Sequence, residues 1–411
     1  MMDLLIISNY WHFEWEKSSS RYLSIANLSV DSGLEVEVVT SSFYHTTKQQ
    51  RNASQEELNS CKYKATLISE PGYKKNVDPK RILSHKKFAY NVERYLTKRK
   101  KPDVIYLFVP PLDLAEKVVK YANHNNIKLI IDILDLWPEA YKMILPFPKV
   151  TRYLLEPMRR KANKIYAGAD DIVAVSETYV NRALSCNKKC DKGLAVYIGT
   201  EFEVFDKYAK KKNAVKRDDE FWIAYIGTLG RSYNLYCVID AMKKMKYSSK
   251  AKLLVMGDGP ERNEFESYAQ LSGINYEFTG KLSYDEMVPL LCQCDIAVNP
   301  IKGSSAASII NKVSDYAAAG LPVINTQESK EYKDLLSEYR AGFSFAETDI
   351  DGIAVCLDKL ISDDGLRKEI GKNSRTLFEE KFSRNDAYSS IIKKITGGYN
   401  ACLYRKARAQ L

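Results

Sequence analysis

The chain has 411 residues, 45% hydrophobic and 28% charged, and its 62 Lys and Arg against 52 Asp and Glu give a net charge of +10. That length predicts two domains rather than one core, and the composition is that of a globular protein. No run approaches the ~20 consecutive apolar residues of a membrane span, and the opening MMDLLIISNYW lacks a basic flank, so it reads as a first strand and not as a signal peptide.

From that strand onward, apolar runs alternate with helix-like stretches. LLIIS (4–8), VEVVT (36–40), VIYLFV (104–109), LIIDIL (129–134) and DIVAVS (171–176) are the pattern of strands buried on both faces. Helical periodicity spans 20–33, 111–126 and 151–168 between them, which predicts an α/β fold with parallel sheet. The segment NYWHFEWEKSSSRYLSIANL (9–28) places Trp11, Phe13 and Trp15 in a loop. Stacking on a sugar, contact with lipid, and packing beneath the loop are all open to them. Residues 74–101 run from Lys74-Lys75 to Lys100-Lys101 with Asp78 and Glu93 as the acidic residues, interleaved with Ile82, Leu83, Phe88, Tyr90, Val92, Tyr95 and Leu96. This basic, partly apolar stretch suits an anionic membrane surface, although a solvated helix face gives the same pattern; no nucleic-acid motif accompanies it. The eight cysteines are scattered, and no histidine stands beside the close pairs Cys186/Cys190 and Cys292/Cys294, so reduced thiols and no metal site are expected.

EFEVFDKYAKKKNAVKRDDE (201–220) is charged and weakly periodic, as a linker would be. The alternation then restarts with FWIAYIG, AKLLVMG, INYEFTG, CDIAVNP and LPVINT. The simplest architecture is two doubly wound, Rossmann-like parallel-sheet domains, with ligands at the carboxyl ends of strands and the cleft between domains as the natural site. The predicted boundaries are an N-terminal domain at 1–200, a linker at 201–220, a C-terminal domain at 221–383 and closing helices at 384–411.

Three strands of the second half end in glycine turns, YIGTLGRSYN (225–234), VMGDGPER (255–262) and FTGKLSYDEM (278–287), which let backbone approach a ligand. They precede SIINKVSDYAAAG (308–320). A lysine in a first helical turn opposes the macrodipole by about 0.3–1 kcal/mol, so Lys312 implies an anion nearby. With the amides at about Ser308–Asn311 it makes a site for a phosphate-like dianion, and Asp315, three residues on, suits a pair of hydroxyls such as those of a ribose. Together these describe a nucleotide. A solvated Asp–Lys pair at a helix start is the plainer reading of the helix alone.

IINKVSDYAAAGLPVI resembles the donor-binding motif of glycosyltransferase family 4, and YIGTLGR, LLVMGDGPER, FTGKLSYDEM and CDIAVNPI follow the family's order. IDILDLWPEA (131–140) and NKIYAGADDIVAVSE (163–177) resemble a subgroup that includes fucosaminyl transferases of O-antigen and capsule assembly. The resemblance covers nearly the whole chain. It implies a GT-B fold, a donor in the C-terminal domain, last helices that cross back to the first domain, and retaining, metal-independent transfer from a nucleoside diphosphate sugar. That sugar nucleotide, with UDP preferred, is a substrate, and no cofactor is implied.

Carried over by position, Lys312 holds the diphosphate, Asp315 the ribose, and the amides at Ser308, Ile309 and Ile310 the leaving group. Gly257 and Asp258 line the nucleotide, the backbone near Lys281-Leu282 meets the base, and Arg231 reaches the phosphates from the turn containing Gly227 and Thr228. The chain departs from the family at several points: Asp315 replaces Glu, Ala307 replaces a second Glu, Ile310 replaces a proline, and Tyr233 stands at a lysine position. On the acceptor side, Ser18-Ser19-Ser20 replace glycines before a helix that Arg21 opens. Ser19, Ser20, Arg21 and Trp11 are acceptor-side candidates. Asp135 is the first-domain carboxylate expected nearest the reacting centre, with Glu139 behind it; a salt-bridged structural Asp135 is the alternative.

The expected enzyme extends a lipid-linked saccharide in cell-surface polysaccharide assembly, from the cytoplasmic face of the membrane and peripheral to it. A nucleotide-sugar epimerase on the same fold is a second reading, which the scarcity of histidines (His12, His45, His85 and His124) disfavours. A catalytically inactive binding partner is a third, prompted by Ala307 and Thr228.

Overall fold

The computed structural model describes residues 1–16, 20–76, 78–143, 148–211, 216–303 and 309–397, with the side chains at 142, 143, 148–152, 385 and 386 excepted. The chain divides into two compact units, residues 1–196 with those from 386 on, and residues 197–385.

The first unit is built on seven strands: β1 (Asp3–Ser8), β2 (Glu35–Ser41), β3 (Lys64–Ile68), β4 (Val104–Val109), β5 (Lys128–Ile133), β6 (Asp171–Ala174) and β7 (Leu194–Ala195). Their order is β3-β2-β1-β4-β5-β6-β7 and every pairing is parallel, with Leu4 opposite both Val36 and Val104. The central strands are the apolar runs of the sequence, and β4 is buried along its whole length. Edge strand β3, KATLI, is half-exposed and carries no such signature. Helices α1 (Arg21–Asp31), α2 (Pro79–Lys98), α3 (Leu112–His124) and α4 (Pro148–Gly168) connect the strands. Helix α2 starts where Asp78 accepts a hydrogen bond from the Lys80 amide at 2.8 Å and Pro79 fits the first turn. Its Phe88, Val92 and Leu96, four residues apart, face inward.

The second unit holds β8 (Phe221–Ile226), β9 (Ala251–Met256), β10 (Asn275–Phe278), β11 (Ile296–Asn299), β12 (Val323–Asn325) and β13 (Gly342–Ser344), in the order β10-β9-β8-β11-β12-β13 and again parallel. Period-2 alternation divides each strand between two cores: Ile223 and Tyr225 pack on one face, Trp222, Ala224 and Ile226 on the other. The expected linker at 201–220 contains helix α5 (Phe202–Ala209), and Phe205 is 1% exposed in one of those cores. Phe202, Phe205, Tyr208 and Ala209 give a charged segment the one apolar face that such a helix needs to bury. Helices α6 (Leu235–Lys244), α7 (Arg262–Ser272), α8 (Tyr284–Leu291), α9 (Lys312–Ala318), α10 (Lys330–Glu338), α11 (Ile350–Ser362) and α12 (Asp364–Leu377) complete the unit. The chain then passes to α13 (Arg384–Ile395), whose Tyr388, Ile391, Ile392 and Ile395 join the first unit's core beside Leu4, Ile6 and Val173.

In each sheet the strand order reverses beside its first strand, between β1 and β4 and between β8 and β11. In open parallel sheets, ligands bind outside the carboxyl ends of the strands at such a reversal.

Candidate functional site

At the carboxyl end of β8, Gly227 takes φ +117° and its amide donates to the Met256 carbonyl at 3.0 Å. A Cβ on Gly257 would lie 1.8 Å from the Gly227 carbonyl oxygen, and one on Gly259 would lie 2.2 Å from that of Leu229. The Leu229 amide bonds the Asp258 carbonyl at 2.9 Å and the Glu261 amide bonds the Leu229 carbonyl at 3.0 Å. The first two glycine turns therefore interlock, backbone against backbone, and the glycines at 257 and 259 are required by that approach. Thr228, Arg231 and Asp258 lie exposed on these turns. The third turn, at Gly280 with φ +79°, meets the Arg262 guanidinium, which also donates to the Phe278 carbonyl at 3.1 Å. Lys281 is exposed beside it, and Leu282 packs partly buried against the core.

The Lys312 side chain reaches back from α9 to the first turn, its Cε and Nζ each 3.3 Å from where a Cβ on Gly227 would stand. Its Nζ is buried without a hydrogen-bond partner among the described residues, 3.9 Å from the centroid of the Tyr225 ring and 4.0 Å from that of Tyr233. Burial holds the ammonium well below the usual lysine value. The two ring faces offset part of the cost of the charge, and no carboxylate neutralises it among the described residues. Sequence reasoning noticed Tyr233 as a missing lysine; it is a wall of the lysine's enclosure. Tyr225, hidden inside an apolar strand, gave no signal of that role. Tyr316 from α9 accepts a hydrogen bond from the Ile226 amide at 2.9 Å and so fixes the helix to the end of β8.

Asp315 lies one turn further along α9 and forms no ion pair with Lys312. Its Oδ1 accepts hydrogen bonds from Thr200 Oγ1 and Tyr284 OH, each at 2.8 Å, while Oδ2 takes none among the described residues. Burial raises the carboxyl above its usual value, with the two hydroxyls pulling the other way. Thr200 lies in the stretch read as a domain boundary, and neither it nor Tyr284 was singled out by the sequence. Ile309 is buried and Ile310 partly so against the same core; Ser308 lies outside the described residues.

The first unit revises several expectations. Arg21 does not project into solvent from the start of α1. Its guanidinium is buried, with Nε 2.8 Å from Asp132 Oδ2, Nη1 donating to the Val196 carbonyl at 2.7 Å, and the Tyr388 ring 5.0 Å away. The signal was Asp132, a lone carboxylate inside the apolar run LIIDIL, which requires a buried cation. Trp11 is 1% exposed and donates to Tyr63 OH at 3.2 Å, so of the three readings of the loop aromatics packing holds; Phe13 is buried beside it, stacked on Trp15. Ser20 caps α1, accepting from the Leu23 amide at 3.4 Å, and Ser19 lies outside the described residues. Glu139 pairs through Oε1 with Arg182 Nε at 2.6 Å, and its Oε2 is buried with no partner among the described residues. Asp135 is half-buried, accepts from Trp137 Nε1 at 3.0 Å, makes no ion pair among the described residues, and is raised above the usual carboxylate value by burial. Among the described residues, no group of His, Cys, Asp and Glu side chains converges as metal ligands do, and no helix is long and apolar enough to cross a membrane.

Residues 206–377 match the model of the family described as Glycosyl transferases group 1. That stretch lies within the second unit and contains all three glycine turns and Lys312. The chain is 24% identical over 323 residues to the capsular polysaccharide biosynthesis glycosyltransferase CapM of Staphylococcus aureus, covering 73% of this chain and 80% of CapM. It is also 24% identical over 247 residues to the uncharacterized glycosyltransferase MJ1607 of Methanocaldococcus jannaschii, spanning 58% of this chain and 61% of that relative's length. Among solved structures, sucrose-phosphate synthase from Thermosynechococcus elongatus superposes with a TM-score of 0.69 at 13% identity, covering 100% of both chains. HepE of Anabaena, in a complex with UDP, superposes with a TM-score of 0.66 at 12% identity over 96% of this chain and 100% of that one. The fold is GT-B.

Proposed function

We propose that the protein is a glycosyltransferase that takes a sugar from a nucleoside diphosphate sugar, with UDP as the preferred base. The observation that carries this reading is the Lys312 ammonium, buried against two tyrosine rings at the mouth of interlocked glycine turns, with no anion among the described residues to neutralise it. A diphosphate supplies that anion, Arg231 on the exposed turn adds a second cation, and the free Oδ2 of Asp315 suits a ribose hydroxyl. The match to the group 1 family and the UDP complex of HepE support the same assignment.

In the proposed mechanism the transfer is retaining and metal-independent, as in family 4. The departing diphosphate takes the acceptor's proton on the face where the new bond forms. Lys312 and Arg231 hold the negative charge that grows on the leaving oxygen, an interaction that strengthens in the transition state and so lowers the barrier. The proposed acceptor is a lipid-linked saccharide of capsule or O-antigen assembly, as for the fucosaminyl-transferase-like subgroup that the sequence resembles; similarity to CapM supports the capsular side of this.

Attachment to the cytoplasmic face of the membrane is proposed through α2. Ile82, Leu83 and Tyr90 are 58%, 63% and 48% exposed there, amid exposed Lys80, Lys86, Lys87, Arg94 and Lys98. Arg99 is excluded from that surface, since it pairs inward with Glu37 and Asp3.

The test is a panel of UDP, GDP, ADP and their sugars read by thermal unfolding, followed by transfer to a lipid-diphosphate saccharide. Lys312→Ala at saturating donor should lose at least tenfold in turnover, ~1.4 kcal/mol of barrier. Unchanged turnover would remove the assignment. A new sugar nucleotide formed without acceptor would identify an epimerase instead, and binding of no nucleotide would identify a non-catalytic partner.

A further inference from the structure

A second cluster of chemistry-bearing groups stands in the first unit, where residues following β1, β2, β3 and β5 meet the start of α2. Arg81 of α2 donates from Nη2 to Tyr10 OH at 3.0 Å and from Nη1 to the Asn76 carbonyl at 2.9 Å, and its Nε has no acceptor among the described residues. The guanidinium lies 5.6 Å from the Tyr73 ring centroid and 5.3 Å from that of Trp137. Lys48 Nζ lies 5.3 Å from the centroid of the same Tyr73 ring and donates to the His45 carbonyl at 2.5 Å. His45 bonds Tyr73 OH, and His85 Nε2 is 3.2 Å from Tyr10 OH.

Two cations are thus gathered without a carboxylate. The other buried or half-buried arginines of this unit all have one: Arg21 has Asp132, Arg51 has Glu16, Arg99 has Glu37 and Arg182 has Glu139. Arg81 and Lys48 form no ion pair among the described residues. The nearby carboxylates are committed elsewhere. Glu70 is buried and accepts from Asn9, Ser41 and Ser84, at 3.0, 2.5 and 2.6 Å, which ties the ends of β1 and β2 to α2. Asp135 accepts from Trp137 and does not reach ion-pair distance of Arg81.

Burial, reinforced by Arg81 and His45, holds His85 down at about 3, and burial with Lys48, Arg81 and His12 holds His45 at about 4. Both rings are therefore neutral at pH 7, and the positive charge belongs to Arg81 and Lys48. Uncompensated like charges held together at strand ends are stable only at a cost, which an oxyanion between them removes.

We propose that this basin, with Arg81 and Lys48 as its charge and Tyr10 and His45 as its hydrogen-bonding wall, binds an oxyanion of the acceptor, a phosphate ester or a sugar carboxylate. Calling that ligand the acceptor rests on the transferase reading above; the oxyanion site does not. Arg81 supplies the planar fork that oxyanions bind bidentately, Trp137 and Tyr73 pin the fork in place, and Lys48 supplies a point charge.

The experiment titrates the full chain, with and without saturating UDP, with methyl phosphate, methyl β-D-glucuronide and methyl β-D-glucoside, read by calorimetry and by tryptophan fluorescence, for which Trp137 is the reporter beside Arg81. At least one anion should bind while the neutral glucoside does not, and Arg81→Gln and Lys48→Gln should each weaken that anion at least tenfold. Arg81→Lys, which keeps the charge but not the fork, should fall between the wild type and Arg81→Gln, and UDP binding should be unchanged in every variant, which shows that they are folded. Preference for methyl phosphate identifies a phosphorylated acceptor and preference for the glucuronide an acidic sugar. The proposal is overturned if neither anion binds the wild type, if the glucoside binds as well as the anions, or if Arg81→Gln binds them as the wild type does. Loss of UDP binding by the wild type would sink the donor assignment instead and leave the anion result legible.

Discussion

Replacing Lys312 by methionine should stabilise the empty protein while abolishing its response to nucleotide. An amine that must shed its proton to be buried at pH 7 costs up to about 4.6 kcal/mol, at 1.36 kcal/mol per pH unit below a reference value of ~10.4. The faces of Tyr225 and Tyr233 return roughly 2 kcal/mol each at most if the charge is kept. Methionine has similar length, no charge, and a sulfur that packs well on aromatic rings. The net expectation is a gain of about 1–2 kcal/mol, which raises the midpoint of a unit of this size by roughly 2–8 °C. The pH dependence carries the signature. Because the folded-state value lies below the unfolded one, the lysine's penalty acts at pH below ~10.4 and fades as pH rises toward it. The advantage of the variant should therefore be larger at pH 7 than at pH 10. With UDP at a hundred times its dissociation constant, the wild type gains about 2.7 kcal/mol and the variant loses most of that gain. Thermal unfolding at the two pH values, with and without UDP, measures all four terms. A variant that melts below the wild type at both pH values, or that UDP still stabilises fully, would refute the reasoning.

Asp315→Asn, which keeps the Thr200 and Tyr284 contacts within reach, should weaken UDP at least tenfold by calorimetry yet leave the affinity for a 2′,3′-dideoxy analogue unchanged. Gly257→Ala drives a methyl into the Gly227 carbonyl and should cost about 1–3 kcal/mol of stability together with the UDP response, both readable by unfolding. Asp132→Ala leaves the buried Arg21 guanidinium unpaired and should cost about 3–5 kcal/mol in denaturant unfolding, while replacing Arg21 and Asp132 together by apolar residues should cost less than either change alone. Wild type should sediment with anionic vesicles in a salt-sensitive manner, and Ile82→Asp with Lys86→Gln and Lys87→Gln should abolish it; equal sedimentation of the variant would discard the α2 surface.

Parallel strands buried on both faces must be apolar throughout, so five strands of each sheet were written in the chain, and glycine turns after three of them marked where backbone comes close. Lys312 was singled out as well, since a cation in a first helical turn needs an anion to justify it. Composition has no comparable mark for the edge strands β3, β7 and β13, which are short and partly exposed, or for α5, whose single buried phenylalanine was lost among charges. The partners of a charge are decided in space. Arg21 opening a helix has the same local sequence whether it meets a ligand or Asp132, 111 residues away. Likewise Arg81 sat in a basic stretch that reads as uniform, and the fold turned it inward among Tyr10, Tyr73 and Trp137 while leaving Lys86 and Lys87 in water. Periodicity and turn chemistry are local properties, carried by neighbours along the chain. Pairing, burial and the absence of a counter-ion belong to groups that meet only when strands assemble, and so they could be read from the tertiary structure alone.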